Sequence, residues 1–238
     1  PILLVIATAI LIYQVGDEAK AYVVIKNGMK KLLPNELLLV IAMGWLFESF
    51  LQGITGFGVP VAVGAPLLIG IGVSIPLLGQ SWGNTFGTLA AAWDALAMTA
   101  KVPVGSSEYF VTALWAAAFI WMWNAVIGIA ICWFYGKGRA LKKGFPAIAL
   151  MSLIQGGGEL LLSQINTTLA CFIPACVSLI AILLLGRTKM YKDEWSLEDS
   201  PIMNRKFAGA STDEAESSMT LVQAFVPYFL LSVITLVV

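Results

Sequence analysis

Long apolar runs separated by short polar ones organise this chain. Four stretches, Leu37–Gly72, Ile75–Ala100, Tyr109–Tyr135 and Phe145–Leu185, carry only three formal charges between them, at Glu48, Asp94 and Glu159. Charge-poor runs longer than about 18 residues are the mark of helices that cross a bilayer. The pattern therefore predicts an all-α, polytopic membrane protein embedded in a lipid bilayer. Pro1–Tyr13 is apolar but too short to span, and it lacks the basic leading region and cleavage site of a signal peptide, so it reads as a truncated helix. Leu221–Val238 reads as the start of a further transmembrane helix. With no initiating Met, the chain is expected to be a fragment of a longer protein, with a transmembrane bundle over 1–186, a cytoplasmic linker over 187–220 and a truncated helix over 221–238.

Composition excludes a soluble domain, since 59% of residues are hydrophobic and only 12% charged. The net charge is zero, so the electrostatic message lies in its distribution. Thirteen of the fourteen basic residues fall in three clusters: Lys20, Lys26, Lys30 and Lys31; then Lys137, Arg139, Lys142 and Lys143; then Arg187, Lys189, Lys192, Arg205 and Lys206. Basic loops stay cytoplasmic, so an even number of crossings must separate each cluster from the next. Phe145–Leu185 meets this as a helical hairpin turning near Gln164–Thr168, and Tyr109–Tyr135 is one inward crossing. Ile75–Ala100 then runs outward, and Leu37–Gly72 must begin and end on the cytoplasmic side.

That last constraint explains why "GITGFGVP", residues 53 to 60, interrupts an apolar run. The arms Leu37–Gln52 and Val59–Gly72 hold 16 and 14 residues, roughly 24 and 21 Å at about 1.5 Å per residue, short of a hydrocarbon core of about 30 Å. The segment 37–72 is expected to be a re-entrant helical hairpin with GITGFG at its tip. Broken backbone at that depth must line a cavity or be buried in protein. Half-helix ends there present N–H dipoles to anions and carbonyls to cations, as in many secondary transporters. Gly53, Gly56 and Gly58 allow close approach to backbone, and Thr55 adds a hydroxyl.

The next run, 75–100, is expected to be a broken helix, because "GQSWGNTFGT" places Gln80, Ser81, Asn84, Thr85 and Thr88 among three glycines. Such residues also serve as ordinary packing groups in membrane bundles. Two consecutive polar breaks favour a binding site made of Gln52, Gly53, Thr55, Gly56, Gly58, Gln80, Ser81, Asn84 and Thr85. Of the buried acids, Glu48 lies one turn before Gln52 on the same face and is the candidate for ion coupling, since an ionised acid in the membrane is costly. Asp94 is a second candidate, although it sits toward the outer end of its helix, where it reaches water. Glu159 reads as structural or interfacial.

Other chemistries are excluded or weak. The chain has no histidine, which removes Ser-His triads, His metal sites and His proton relays. Cys132, Cys171 and Cys176 show no metal-type pairing and read as packing thiols. No phosphate-binding glycine fingerprint occurs, no metal or cofactor is implied, and the tryptophans suit bundle packing rather than nucleic acid. Arg187–Thr220 mixes charges with Ser, Gly and Pro and reads as a flexible linker. Lys20–Leu33 places Tyr22, Ile25, Met29 and Leu33 at helical spacing, as an amphipathic connector would.

"FLQGITGFGVPVAVGAPLLIGIG" followed by "SWGNTFGTLAAAWDAL" resembles the hallmark region of the L-lactate permease family, and the similarity extends through "FPAIALMSLIQGGG" to "QAFVPYFLLSVITL". The resemblance implies a multi-pass transporter of a prokaryotic plasma membrane, not an enzyme, built as an inverted repeat of two related halves, of which this chain holds mainly the first. It implies import of L-lactate, D-lactate or glycolate with a coupling cation, H⁺ or alternatively Na⁺. A homo-oligomer is compatible with it. Many relatives carry Glu just before the first glycine of the motif, where this chain has Gln52 with Glu48 one turn earlier. Two alternatives stand beside this reading: a membrane enzyme or assembly subunit that binds a lipid headgroup or cofactor, and a transporter of another organic anion.

Overall fold

The computed structural model describes residues 11, 14–16, 18–55, 60, 64, 67–69, 71–73, 98–103, 105–166, 169–204 and 219–237. Every regular element among them is a helix, as the apolar runs require. The expected broken helix 75–100 lies outside the described residues except for its last three positions.

Helix α1, Ala21–Leu32, buries the stripe Tyr22, Ile25 and Met29, and its Gly28 faces the Leu221 side chain, so the amphipathic segment is folded onto the bundle. Pro34 cannot continue the helix, and Asn35 caps the next one by accepting the Leu38 N–H at 3.2 Å. The chain then runs through α2, Glu36–Ile41, a π-helical turn at Ala42–Leu46, and α3, Phe47–Thr55. The 18-residue apolar window Glu36–Gly53 is 83% buried within the protein, against 33% for the window in Ser107–Leu162. A helix buried to this extent belongs inside a bundle, and this one forms its centre.

Helix α4, Ser107–Leu162, is two antiparallel arms, 107–135 and 138–162, reversed at Gly136 and Lys137, whose φ is 50° and ψ −137°. Glycines set the close approach of the arms. A Cβ on Gly128 would lie 2.9 Å from Ile148, one on Gly144 would lie 2.7 Å from the Cys132 sulfur, and Gly156 lies against Trp121. After turn residues at 163–165 and 169–171 the chain returns as α5, Phe172–Gly186, with Gly158 against Pro174. Thus 107–135, 138–162 and α5 are successive antiparallel passes. Helix α6, Leu221–Val237, packs on α1 and α3, where its Phe225 and Tyr228 rings meet Phe47 edge-on.

The stretch 187–204 departs from the flexible linker expected of its composition. It folds over the end of the bundle where Leu33 meets Gly186. Tyr191 is fully buried, with Leu197, Ile202 and Met203 nearly so. Its hydrogen bonds reach three elements. The Glu36 N–H donates to the Trp195 carbonyl at 3.0 Å, and the Asn204 N–H donates to the Gly72 carbonyl at 2.6 Å. Val73 and Met203 form an isolated antiparallel bridge. The Tyr191 hydroxyl donates to the Lys143 carbonyl at 2.7 Å, and the Lys143 ammonium returns a bond to the Met190 carbonyl at 2.8 Å. The exposed Arg139–Asp199 pair adds little at a solvated surface. The remaining part of the expected linker, 205–218, lies outside the described residues.

Tyr135, fully buried, ties this strap to the bundle. Its hydroxyl donates to the Glu36 carboxylate and accepts the Leu197 N–H at 3.2 Å, while its carbonyl accepts the Ser200 hydroxyl at 2.6 Å. Tyr135→Phe removes the hydroxyl alone, and depriving the Leu197 N–H and Glu36 of that partner costs about 1–3 kcal/mol. The variant should therefore unfold at a clearly lower temperature in detergent. An unchanged melting curve would show that the strap is held without this node.

Candidate functional site

The π turn shapes the approach to the site. The Phe47 N–H reaches back five residues to the Ala42 carbonyl, which adds one residue to the turn and re-aims the side chains that follow; such turns frequently mark functional positions. The Ser49 hydroxyl donates to the Trp45 carbonyl at 2.8 Å, satisfying backbone at the distorted turn. The Trp45 ring fills the space over Gly128, fixing this segment against the 107–135 arm.

Glu48 and Ser49 are fully buried, and Gln52 is 1% exposed. Both Glu48 carboxyl oxygens are buried without a hydrogen-bond partner among the described residues. An unpaired carboxylate in such surroundings carries a desolvation penalty of several kcal/mol, which a proton or a bound cation removes. The carboxyl lies directly against Gly64. Beyond it, Gly53 meets the start of α5: a Cβ there would stand 2.8 Å from Phe172 Cα. The Cys171 thiol points at the Ser49 carbonyl from 3.7 Å, and the Phe50 and Phe172 rings lie 5.9 Å apart.

Of the residues singled out in the sequence, Glu48, Gln52 and Gly53 are thus brought together on α3, at the end of the bundle where α5 begins. Thr55 closes that helix. Gly56, Gly58, Gln80, Ser81, Asn84, Thr85 and Asp94 lie outside the described residues. Glu159 is fully buried, as are Gln155 and Asn124, so it is an internal residue and not an interfacial one. Sequence reading missed Gly64, Ser49 and the π turn.

A cavity of about 430 Å³ opens at the opposite end, beside the strap, between Lys30, Lys31, Glu36 and Glu194. Partial burial holds the Lys30 ammonium below its ordinary range, and the Glu36 carboxylate partly offsets this. Its walls include Leu39 of α2 and Ile71, so it lies at the base of the 36–73 stretch. Among the described residues no group of His, Cys, Asp and Glu side chains is arranged to hold a metal ion.

Apolar helices of spanning length packed around a central, interrupted helix with a buried acid define a polytopic membrane protein with an internal polar site. The chain belongs to the L-lactate permease family, whose model matches residues 1–238. It is 23% identical to an L-lactate permease of Halalkalibacterium halodurans, over 98% of this chain and 44% of that protein. It is 24% identical to an L-lactate permease of Escherichia coli K12, over 77% of the chain and 34% of that protein. The glycolate permease of the same strain is 22% identical over 98% of the chain and 43% of its own length. The chain spans less than half the length of these relatives. No solved structure matches it.

Proposed function

We propose that this chain forms the substrate and coupling core of a secondary transporter that imports a small monocarboxylate, L-lactate, D-lactate or glycolate, together with a proton. The observation that carries the reading is the Glu48 carboxyl, buried and without a hydrogen-bond partner among the described residues, five residues before Gly53, where the glycine-rich segment begins. In this reading 37–72 is a re-entrant hairpin. Support comes from its two ends, since Glu36 and Gly72 are both hydrogen-bonded to the strap, while Gly53 stands at the far end of α5. The strap and basic loops then face the cytoplasm.

The carboxylate of the substrate would be met by backbone N–H groups around 53–58, with hydroxyls and amides of 80–85 completing the site. The relatives' names supply the substrate class. All three arginines, 139, 187 and 205, lie outside the apolar runs, so no guanidinium clamp for a dicarboxylate stands in them. Import of a monoanion against an interior-negative potential costs about 2.3 kcal/mol per 100 mV. One proton per carboxylate makes the cycle electroneutral, and Glu48 is the group placed to carry it.

Full-length protein in liposomes tests this. An imposed inward proton gradient should accumulate L-lactate or glycolate but not a dicarboxylate. Accumulation driven by sodium and not by protons would overturn proton coupling and move the cation to backbone carbonyls. Catalytic turnover without any transport would overturn the transporter reading itself.

A further inference from the structure

Glu48 is held in place by an absence. The three atoms nearest to where a Cβ of Gly64 would stand all belong to Glu48: Cγ at 2.9 Å, Cδ at 2.7 Å, and Oε1 closer still. Gly64 is itself buried and helical, so the acid's side chain fills the place where a side chain at position 64 would stand. Contacts under 3 Å are closer than a real Cβ tolerates, and any side chain at position 64 would occupy the carboxyl's place. The other titratable groups on the elements packed against α3 are Cys176 of α5, with Cys171 just before that helix, and Tyr228 of α6. None of them hydrogen-bonds the Glu48 carboxyl, and the sequence 59–73 contains no titratable residue.

We infer that Gly64 is a positioning residue for the coupling acid: its missing side chain forms the seat of the Glu48 carboxyl. The inference rests on the reading of Glu48 as proton carrier and adds the residue that determines where the carboxyl sits.

The test uses full-length protein in liposomes in four forms: native, Gly64→Ala, Glu48→Asp and the double variant. Proton-driven L-lactate accumulation and L-lactate exchange are each followed against pH. Gly64→Ala should lower accumulation several-fold more than exchange and displace the midpoint of the pH profile. Asp is one methylene shorter and withdraws from the added methyl, so the double variant should return the midpoint toward the native value. The inference is overturned if Gly64→Ala superimposes on the native profile. It is equally overturned if accumulation and exchange fall together and Asp gives no rescue, the result of a purely structural glycine. Glu48→Gln separates the two readings, because proton-driven accumulation in that variant removes Glu48 as carrier. The seat then stands or falls on melting temperatures: additive shifts for Gly64→Ala and Glu48→Asp would overturn it, and compensation in the double variant would uphold it.

Discussion

Glu48→Gln should abolish proton-driven accumulation while exchange of labelled for unlabelled substrate persists. The amide matches the carboxyl in size, so the seat against Gly64 stays filled and a loss reports the proton rather than packing. The magnitude follows from the gradient. With no membrane potential and one proton per carboxylate, a difference of one pH unit, about 1.36 kcal/mol, sustains roughly tenfold accumulation. A variant that moves substrate without a proton equilibrates instead, at a ratio of about one. Exchange does not require the carrier to return empty, so it needs no proton release. Native accumulation in Glu48→Gln would move the carrier to another acid, and Asp94 is the next candidate.

Gly53→Ala should cost both stability and substrate affinity. Its Cβ would stand 2.8 Å from Phe172 Cα, 3.0 Å from Phe172 Cβ and 3.1 Å from Phe172 N. Two of these three atoms are main chain, which no rotamer change can move aside, so α3 and α5 must separate. Overpacking of this kind costs about 1–3 kcal/mol. It falls at the entrance to the glycine-rich segment, and a loss of about 1.4 kcal/mol in binding is tenfold in affinity. Thermal unfolding and L-lactate binding to purified protein measure the two effects. Gly138→Ala is the control, since a Cβ at Gly138 meets nothing within 4 Å and both quantities should stay native. Native affinity in Gly53→Ala would remove the contact with α5 from the site.

The failure of one expectation is informative. Arg187–Thr220 has the polar, Gly- and Ser-containing composition of an unstructured connector, yet 187–204 is packed. A few apolar anchors, Tyr191, Leu197, Ile202 and Met203, are buried there. Main-chain groups, such as those of Trp195 and Asn204, add bonds that do not depend on residue type, beside the side-chain bonds of Tyr191 and Ser200. Average composition conceals both features.

The helical passes were legible in the amino-acid order because lipid leaves a chain little choice. Backbone polar groups must be satisfied within each apolar run, and run length then places the reversals. The turn at Gly136 and Lys137 falls between the expected passes 109–135 and 145–185, and the described turn residues 163–165 and 169–171 lie about the reversal expected near 164–168. The Glu48–Gln52 face was legible for the same reason, since residues four apart on a helix share a side. The seat of Glu48 on Gly64, the close approach of Gly53 to Phe172 and the Tyr135 node joining Glu36 to Leu197 were not. Each joins residues of ordinary type far apart along the chain, and a missing side chain becomes a packing feature only when folding brings another residue against it.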